Sequence, residues 1–174
     1  MSKSLARVRA ALDAAGVAFD LREMTAETRT AEQAAAAAGC ALDQIVKSVL
    51  FRGTGSGQLR LFLTAGGNRI DPDRASTLAQ EPLERADAAL IRAETGFAIG
   101  GVAPLGHLNP CALWMDPRLM DFSVVWAAAG TPRHIFAITP ATLRRITGAT
   151  LAGFTARPER RDGTGDVKLF NMPP

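Results

Sequence analysis

The sequence of 174 residues contains no tyrosine, two histidines and two cysteines, and these shortages exclude several kinds of protein. Two cysteines cannot supply the disulfide framework of a small secreted scaffold. His107 and Cys111 form one His-x-x-x-Cys pair with no second pair at ligand spacing, so we expect no metal and no cofactor. A Gly-x-Ser-x-Gly elbow and a Gly-Lys-Ser/Thr phosphate loop are both missing, which argues against serine hydrolases of that type and P-loop enzymes.

Long apolar runs are also missing. Hydrophobic residues make up 47% of the chain, but glycine, proline or a charge interrupts each run. The N-terminus continues into an amphipathic pattern, without the apolar stretch and cleavage site of a signal peptide. We therefore expect no membrane association and a cytoplasmic location. The formal charge of +3 and the pI of about 9.4 are compatible with nucleic acid but do not require it.

Hydrophobic spacing predicts one α+β domain over residues 1–174, with 155–174 as a possible flexible tail. Successive strands late in the chain argue against a doubly wound parallel sheet. The glycine-rich segment 53–57 is interpreted as a turn, because no helix follows it. Helices are predicted over 4–15, 31–38, 72–78 and 84–94 and after Thr139-Pro140; strands are predicted over 17–21, 45–52, 59–65, 113–115, 122–127 and 134–138.

Lysine is scarce, with three residues against seventeen arginines, and one of the three has an unusual position. Lys47 lies within Ile45-Val46-Lys47-Ser48-Val49-Leu50-Phe51, which otherwise reads as a buried strand. Burying an unpaired ammonium is costly, so this position needs a reason. Either the stem lies along apolar surface while the charge reaches water, or the lysine lines a functional pocket.

Two loops could also contribute to a site. In the loop 100–106, glycines would let backbone N–H groups converge on an anion, although a tight turn between strands explains the same residues. The second loop, 128–134, ends in His134, which opens an apolar strand. A histidine there is either a structural residue with satisfied hydrogen bonds or a participant in the chemistry.

Three segments carry a resemblance to a known family. They are Thr28–Ala35 with Gln44–Ser48, then Thr95–Gly106, and finally Ala129–Pro140. Together they resemble the YbaK/ProX family of aminoacyl-tRNA deacylases, relatives of the editing domain inserted in bacterial prolyl-tRNA synthetases. The resemblance extends from about residue 4 to residue 152. It implies a mixed, antiparallel-rich, barrel-like sheet with flanking helices.

The resemblance also implies a function and a site. Lys47 matches the lysine on which the family's activity depends most, and its ammonium would hold the ester end or the terminal phosphate of a charged tRNA. Water would attack the ester without a metal, and the backbone of the glycine loop would cradle the aminoacyl carbonyl or the terminal ribose. Misacylated tRNA, with tRNA for proline favoured, and prolyl-tRNA synthetase are the implied partners. The implied substrate-binding residues are Thr30, Gly100, Gly101, Val102, Ala103, Pro104, Gly106, Gly130, Thr131 and His134.

The sequence departs from the family at two points that bear on the substrate. Some members that remove cysteine carry a tyrosine near the first strand and an aspartate after the later glycine turn. This chain has no tyrosine and has His134 near the second position. Alanine, cysteine, serine and small non-protein amino acids therefore all stay open as the group removed. A non-catalytic module that binds tRNA or a synthetase and a hydrolase for smaller esters are the alternative functions, and the sequence predicts no oligomeric state.

Overall fold

A computed structural model describes residues 2–157, 160–161 and 167–168. The predicted tail 155–174 lies mostly outside these residues. Two short 3-10 helices span Leu42–Gln44 and Pro117–Asp121. The α-helices are α1 (Lys3–Ala14), α2 (Ala31–Ala38), α3 (Pro72–Ala79), α4 (Ala88–Thr95) and α5 (Pro140–Thr147). The strands are β1 (Asp20–Glu23), β2 (Ile45–Gly53), β3 (Leu59–Ala65), β4 (Leu83–Arg85), β5 (Ala112–Met115), β6 (Val125–Ala128), β7 (His134–Ile138), β8 (Thr150–Leu151), β9 (Arg160–Arg161) and β10 (Val167–Lys168).

Eight strands form one mixed sheet in the order β1-β7-β6-β2-β3-β5-β8, and β4 also pairs with β2. The β1–β7, β6–β7, β2–β3 and β2–β4 ladders are antiparallel, whereas β2–β6, β3–β5 and β5–β8 are parallel. Strands β9 and β10 pair only with each other. The predicted α+β class, with a mixed and antiparallel-rich sheet and flanking helices, is confirmed.

Helix ends lie where the capping residues predict them. The Thr30 hydroxyl accepts from the Gln33 N–H, and the Gln33 side chain accepts in return, so a capping box opens α2. Gly39 then ends α2 in the left-handed conformation at φ 70°. The side chains of Asp71 and Thr139 cap α3 and α5 by accepting backbone N–H groups of the first turn. Each lies before a proline at the first helical position.

Two predicted elements were wrong. Residues 84–94 are not one helix, because Arg85 pairs with Phe51 in the β2–β4 ladder and Asp87 caps α4 through the Leu90 N–H. Residues 122–127 are not one strand, because the 3-10 helix Pro117–Asp121 delays the start of β6 to Val125. Pairing with a distant strand decided the first case, and a local 3-10 helix decided the second.

The sheet separates a large core from two smaller clusters. The large core includes Leu5, Val8 and Leu12 of α1, with Leu61 and Leu63 of β3. Side chains on the other face form one cluster under α2, which includes Ile45 and Trp126, and an aromatic cluster beside α3. In the aromatic cluster, Phe62 stacks on Trp114 with ring centroids 5.0 Å apart. No helix within the described residues is long and apolar enough to cross a membrane.

The buried Phe62 ring yields a stability prediction. Its side chain is 0% exposed and also meets Phe51 and Phe154 edge to face. We expect Phe62→Ala to lower the free energy of unfolding by about 3–5 kcal/mol, because the cavity left behind cannot fully collapse. Urea titration measures the change. The control Leu108→Ala, at a residue 55% exposed, should shift it by less than about 0.5 kcal/mol; equal shifts for the two variants would contradict the assignment of this core.

Candidate active site

Strand β2 places Lys47 between the two smaller clusters. Side chains alternate along a strand, so Lys47 shares a face with Ile45 of the cluster under α2 and with Phe51 of the aromatic cluster. Its partner across the β2–β3 ladder is Thr64, which is fully buried. Lys47 therefore lies at the boundary between the cluster under α2 and the aromatic cluster. Apolar residues of these two clusters lie on either side of its stem.

The Lys47 ammonium is half-buried and hydrogen-bonded. Its Nζ donates to the carbonyl oxygen of Asn68 at 2.5 Å. Burial lowers the pKa of Lys47 below the usual lysine value, and the nearby Arg69 acts in the same direction. The carboxylate of Glu32, on the first turn of α2, is the main opposing influence on that pKa. The charge is thus partly desolvated and held at one place.

A buried carboxylate fixes the turn that holds the ammonium. Asp116 is 3% exposed, and its Oδ2 accepts from Asn68 Nδ2 at 2.9 Å and from the Ala65 N–H at 3.1 Å. The Arg118 N–H donates to Oδ1 at 3.0 Å. Because buried carboxylates need several donors, these bonds satisfy Asp116 and lock the turn after β3. The position of the Asn68 carbonyl, and hence of the ammonium, follows from them.

Lys47 lines a cavity of about 310 Å³, which we call the lysine cavity. Its walls come from the segment that opens α2, from β2, β6 and β7, and from the loop after α4. This volume is at the lower end of the range for small-molecule sites. The lining residues are Thr28, Arg29, Thr30, Ala31, Ala34, Ile45, Val46, Lys47, Ser48, Gly100, Val102, Trp126, Ala127, Ala128 and Ile135.

The start of α2 borders the lysine cavity. The capping box uses the N–H groups of Thr30 and Gln33, while the Arg29 N–H donates to the Gln33 side chain at 3.0 Å. Ala31, the first residue of the helix, lines the cavity. Unpaired N–H groups at a helix start attract anions, as the Lys47 ammonium does, whereas the Glu32 carboxylate on the same turn opposes both.

The predicted glycine loop divides between two places. Gly100 and Val102 line the lysine cavity. Gly101 instead packs against Thr131, because a Cβ built on it would lie 2.8 Å from the Thr131 Cα. Ala103 is fully buried, and its carbonyl accepts from the His107 ring at 2.6 Å. Pro104 and Gly106 line a separate cavity of about 270 Å³ beside α1 and α5.

The second predicted loop, residues 128–134, packs against the glycine loop and against α1. Gly130, at φ 96°, packs on the backbone of Ser4 in α1. The Thr131 hydroxyl lies 2.6 Å from His134 Nδ1. Neither of these residues nor His134 is among those that line the lysine cavity, whereas the next residue, Ile135, is. The structure thus brings Lys47, Thr30, Gly100 and Val102 together and leaves Gly130, Thr131 and His134 one layer away.

Sequence reasoning missed several lining residues. Ser48 directly follows the lysine, and its Oγ is buried without a hydrogen-bond partner in the described structure. Trp126 and Ile135 belong to predicted strands, but only the parallel pairing of β2 with β6 brings them to Lys47. The sole sequence signal for them was an apolar strand, which does not reveal its neighbours.

Comparisons with known proteins agree on one family. Residues 25–146 match the aminoacyl-tRNA editing domain family. The chain is 32% identical over 124 residues to the uncharacterized protein YwhH of Bacillus subtilis (strain 168), covering 71% of this chain and 78% of that one. A crystal structure described as "a putative trans-editing enzyme for prolyl tRNA synthetase" is 43% identical, with a TM-score of 0.83, covering 89% of this chain and 98% of that one. The hypothetical protein APE2540 is 27% identical with a TM-score of 0.80, covering 86% and 99%.

The lowered pKa of Lys47 predicts the direction in which its replacement changes the stability of the fold. Because burial lowers the pKa in the folded state, the charged lysine disfavours folding at neutral pH, and this cost fades as the pH rises from the folded-state pKa to the ordinary one. We expect Lys47→Met to melt at a higher temperature than the wild type at pH 7, with the difference shrinking at alkaline pH. Calorimetry across pH tests this, with Lys3→Met, at an exposed position of α1, as control. A lower Tm for Lys47→Met at pH 7 would contradict the prediction.

The unpaired Ser48 hydroxyl yields a second prediction. Its removal loses no hydrogen bond within the described protein and removes a buried polar atom. We expect Ser48→Ala to leave the free energy of unfolding unchanged or to raise it by up to about 1 kcal/mol. The matched variant Thr64→Ala, on the neighbouring strand, loses a bond to the Phe62 carbonyl at 3.3 Å and should be destabilised. Urea titrations of both decide, and a clear loss of stability in Ser48→Ala would mean that its hydroxyl is bonded.

Proposed function

This chain belongs to the aminoacyl-tRNA editing domain family and is an aminoacyl-tRNA deacylase; we propose that it acts in trans on tRNA for proline carrying a small wrong amino acid. In the proposed reaction, water adds to the ester carbonyl, the bond from that carbon to the ribose oxygen breaks, and the ribose oxygen takes a proton. The products are a free amino acid and uncharged tRNA.

One observation carries the assignment of the chemistry to this cavity. Lys47, whose half-buried ammonium is held by the Asn68 carbonyl, lines a cavity of about 310 Å³ beside the start of α2. Ester hydrolysis develops negative charge on the carbonyl oxygen, and a donor fixed in advance stabilises that charge by about 3–4 kcal/mol. We infer that Lys47 is the catalytic residue and that it binds either this oxygen or the terminal phosphate.

The remaining site residues are proposed in two groups. Thr30, Gly100 and Val102 would contact the substrate, because they line the lysine cavity with Lys47. Gly101 and Thr131 would act indirectly, since their close packing fixes the position of Gly100. Ala103, Pro104, Gly106, Gly130 and His134 would then serve the fold of the two loops.

The walls of the lysine cavity support a small aminoacyl group. Ile45, Trp126 and Ile135 are buried, and the Arg22 guanidinium lies 4.5 Å from the centre of the Trp126 ring. Walls held in this way limit the room for a longer side chain. Discrimination by size alone is worth about 1–3 kcal/mol per methylene, so the selection among small groups would be modest.

The proposal also concerns partners and location. Acting in trans requires access to charged tRNA after its release or while a synthetase still holds it, so prolyl-tRNA synthetase is a proposed partner. Because charged tRNA is used in the cytoplasm, we propose that location. We also propose that residues 1–174 work as one editing domain.

Incubation with a panel of charged tRNAs tests the function. We expect release of alanine, cysteine or serine from tRNA for proline, and loss of at least about 100-fold in rate for Lys47→Ala, because one fixed donor contributes that much. Lys47→Arg should retain part of the activity, since the charge stays but its geometry changes. Lys3→Ala, a matched change at an exposed position of α1, should behave like the wild type.

Three outcomes would contradict the proposal. Binding of charged tRNA without turnover would indicate a non-catalytic module. Activity on small esters without any tRNA affinity, and insensitive to salt, would indicate another hydrolase, because tRNA contacts weaken steeply with salt. Full activity of Lys47→Ala would remove the lysine from the mechanism.

A further inference from the structure

The edge of β2 opposite β3 is left open in its middle. On this edge β6 pairs with Ile45 and Val46, and β4 pairs with Phe51–Gly53. Residues 47–50 have no strand partner there within the described ladders. Sheet edges with open N–H and C=O groups are sites where other chains bind, and folded proteins normally cover them.

The open groups of this edge belong to Ser48 and Leu50. The Gly53 N–H donates to the Gln58 carbonyl on the β3 side at 2.9 Å, while the Thr54 N–H donates to Pro82 on the β4 side at 3.0 Å. Successive peptide groups of a strand point to opposite edges, so the even-numbered residues of β2 direct theirs away from β3. The N–H groups of Ser48 and Leu50 therefore face the gap between β6 and β4.

A second cavity follows this gap. It measures about 590 Å³, and we call it the edge cavity; it includes Ser48, Leu50, Arg85, Ile99, Gly100 and Val102. Ser48, Gly100 and Val102 line the lysine cavity as well, so the two cavities adjoin along β2. A ligand long enough to pass Gly100 and Val102 could therefore contact both cavities.

The chemistry of the edge cavity differs from that of the lysine cavity. Ile99 is 59% exposed and offers an apolar face at the rim. Arg85 is exposed and forms no salt bridge within the described residues, whereas its neighbour Glu84 pairs with Arg52. The Asp87 carboxylate also lines the cavity, where it accepts the Leu90 N–H at 2.7 Å as the cap of α4. The cavity thus combines main-chain donors, an apolar wall, an arginine without a salt bridge to any described residue and an acid held at a helix start.

We propose that the edge cavity binds the nucleotide that precedes the terminal adenosine of the tRNA substrate. Its base edge would bond to the open N–H groups of Ser48 and Leu50, its ribose or base would pack on Ile99, and its phosphate would meet Arg85. Arg85 pairs with Phe51, four residues from Lys47, which corresponds to about 13 Å along the strand. That length spans the terminal nucleotide in the lysine cavity and the next one. Grooves that bind single-stranded nucleic acid place cations along the backbone, and Arg85 would serve in that way, while Ile99 would add an aliphatic contact.

The inference rests on the proposed function, and two substrates separate their failures. One is tRNA for proline charged with alanine, and the other is alanine esterified to adenosine alone, which ends before the edge cavity. We expect Arg85→Ala and Ile99→Ala to lower kcat/KM several-fold on the charged tRNA and to leave it unchanged on the adenosine ester. Arg9→Ala, on the exposed face of α1, is the matched control and should change neither.

Salt dependence gives an independent readout for Arg85. Loss of one phosphate contact on a single strand should reduce the slope of log kcat/KM against log salt by about 0.7 for the charged tRNA. The trinucleotide CpCpA should also inhibit the wild type and bind it, by fluorescence anisotropy, more tightly than it binds Arg85→Ala.

Several results would overturn the inference. Equal losses on both substrates would mean that the variants disturb the lysine cavity, and no loss on either would mean that the edge cavity lies off the substrate path. A wild type that binds CpCpA no better than Arg85→Ala does would leave the open edge to another occupant, such as a peptide strand. A wild type that cleaves neither ester would refute the proposed function, while the CpCpA titration would still decide the fate of the subsite.

Discussion

The bond from the Lys47 ammonium to the Asn68 carbonyl is the constraint on which the site depends. A lysine side chain has many rotamers, and burial alone would not select one. The carbonyl can select it because Asp116 fixes the turn through Asn68 and Ala65. Gly66 is necessary in that turn, since a Cβ there would lie 2.1 Å from the Leu42 carbonyl. Gly66 and the buried Asp116 carboxylate thus determine the position of the Lys47 ammonium.

The lysine cavity and the edge cavity together form a cleft along β2. It exists because neither β6 nor β4 is long enough to cover the outer edge of β2. Each covers one end of its outer edge, and the chain turns away at Gly130 in one case and at Ala86 in the other. The loop through Gly100 then lies across the uncovered middle. Lys47 and the open main-chain groups belong to the same stretch of β2, so the proposed chemistry and the proposed recognition share one rigid element.

Local signals in the sequence predicted much of the fold and part of the site. The spacing of Thr30 and Gln33 predicted the start of α2. Lys47 could be identified as a candidate site residue because its neighbours in β2 are mostly apolar. The parallel pairing of β2 with β6 could not be predicted, since the two segments are far apart in sequence and an apolar strand fits many partners. Trp126 as a cavity wall and Asp116 as the anchor of the turn depend on such pairing. The family resemblance predicts a catalytic role for Lys47, whereas the sequence pattern alone left its role open.

The glycines of the loop 100–106 meet different structural constraints. The family resemblance implies that the backbone of this loop cradles the substrate, and this role stays a prediction. Gly101 is forced by the approach of Thr131, and Gly106 lies 3.4 Å, at its built Cβ, from the backbone of α1. Gly100 alone among them faces the cleft, with φ 91°. Because packing at Gly101 fixes the path of the chain, the backbone of Gly100 is held at a constant place beside Lys47, where the proposed substrate would meet it.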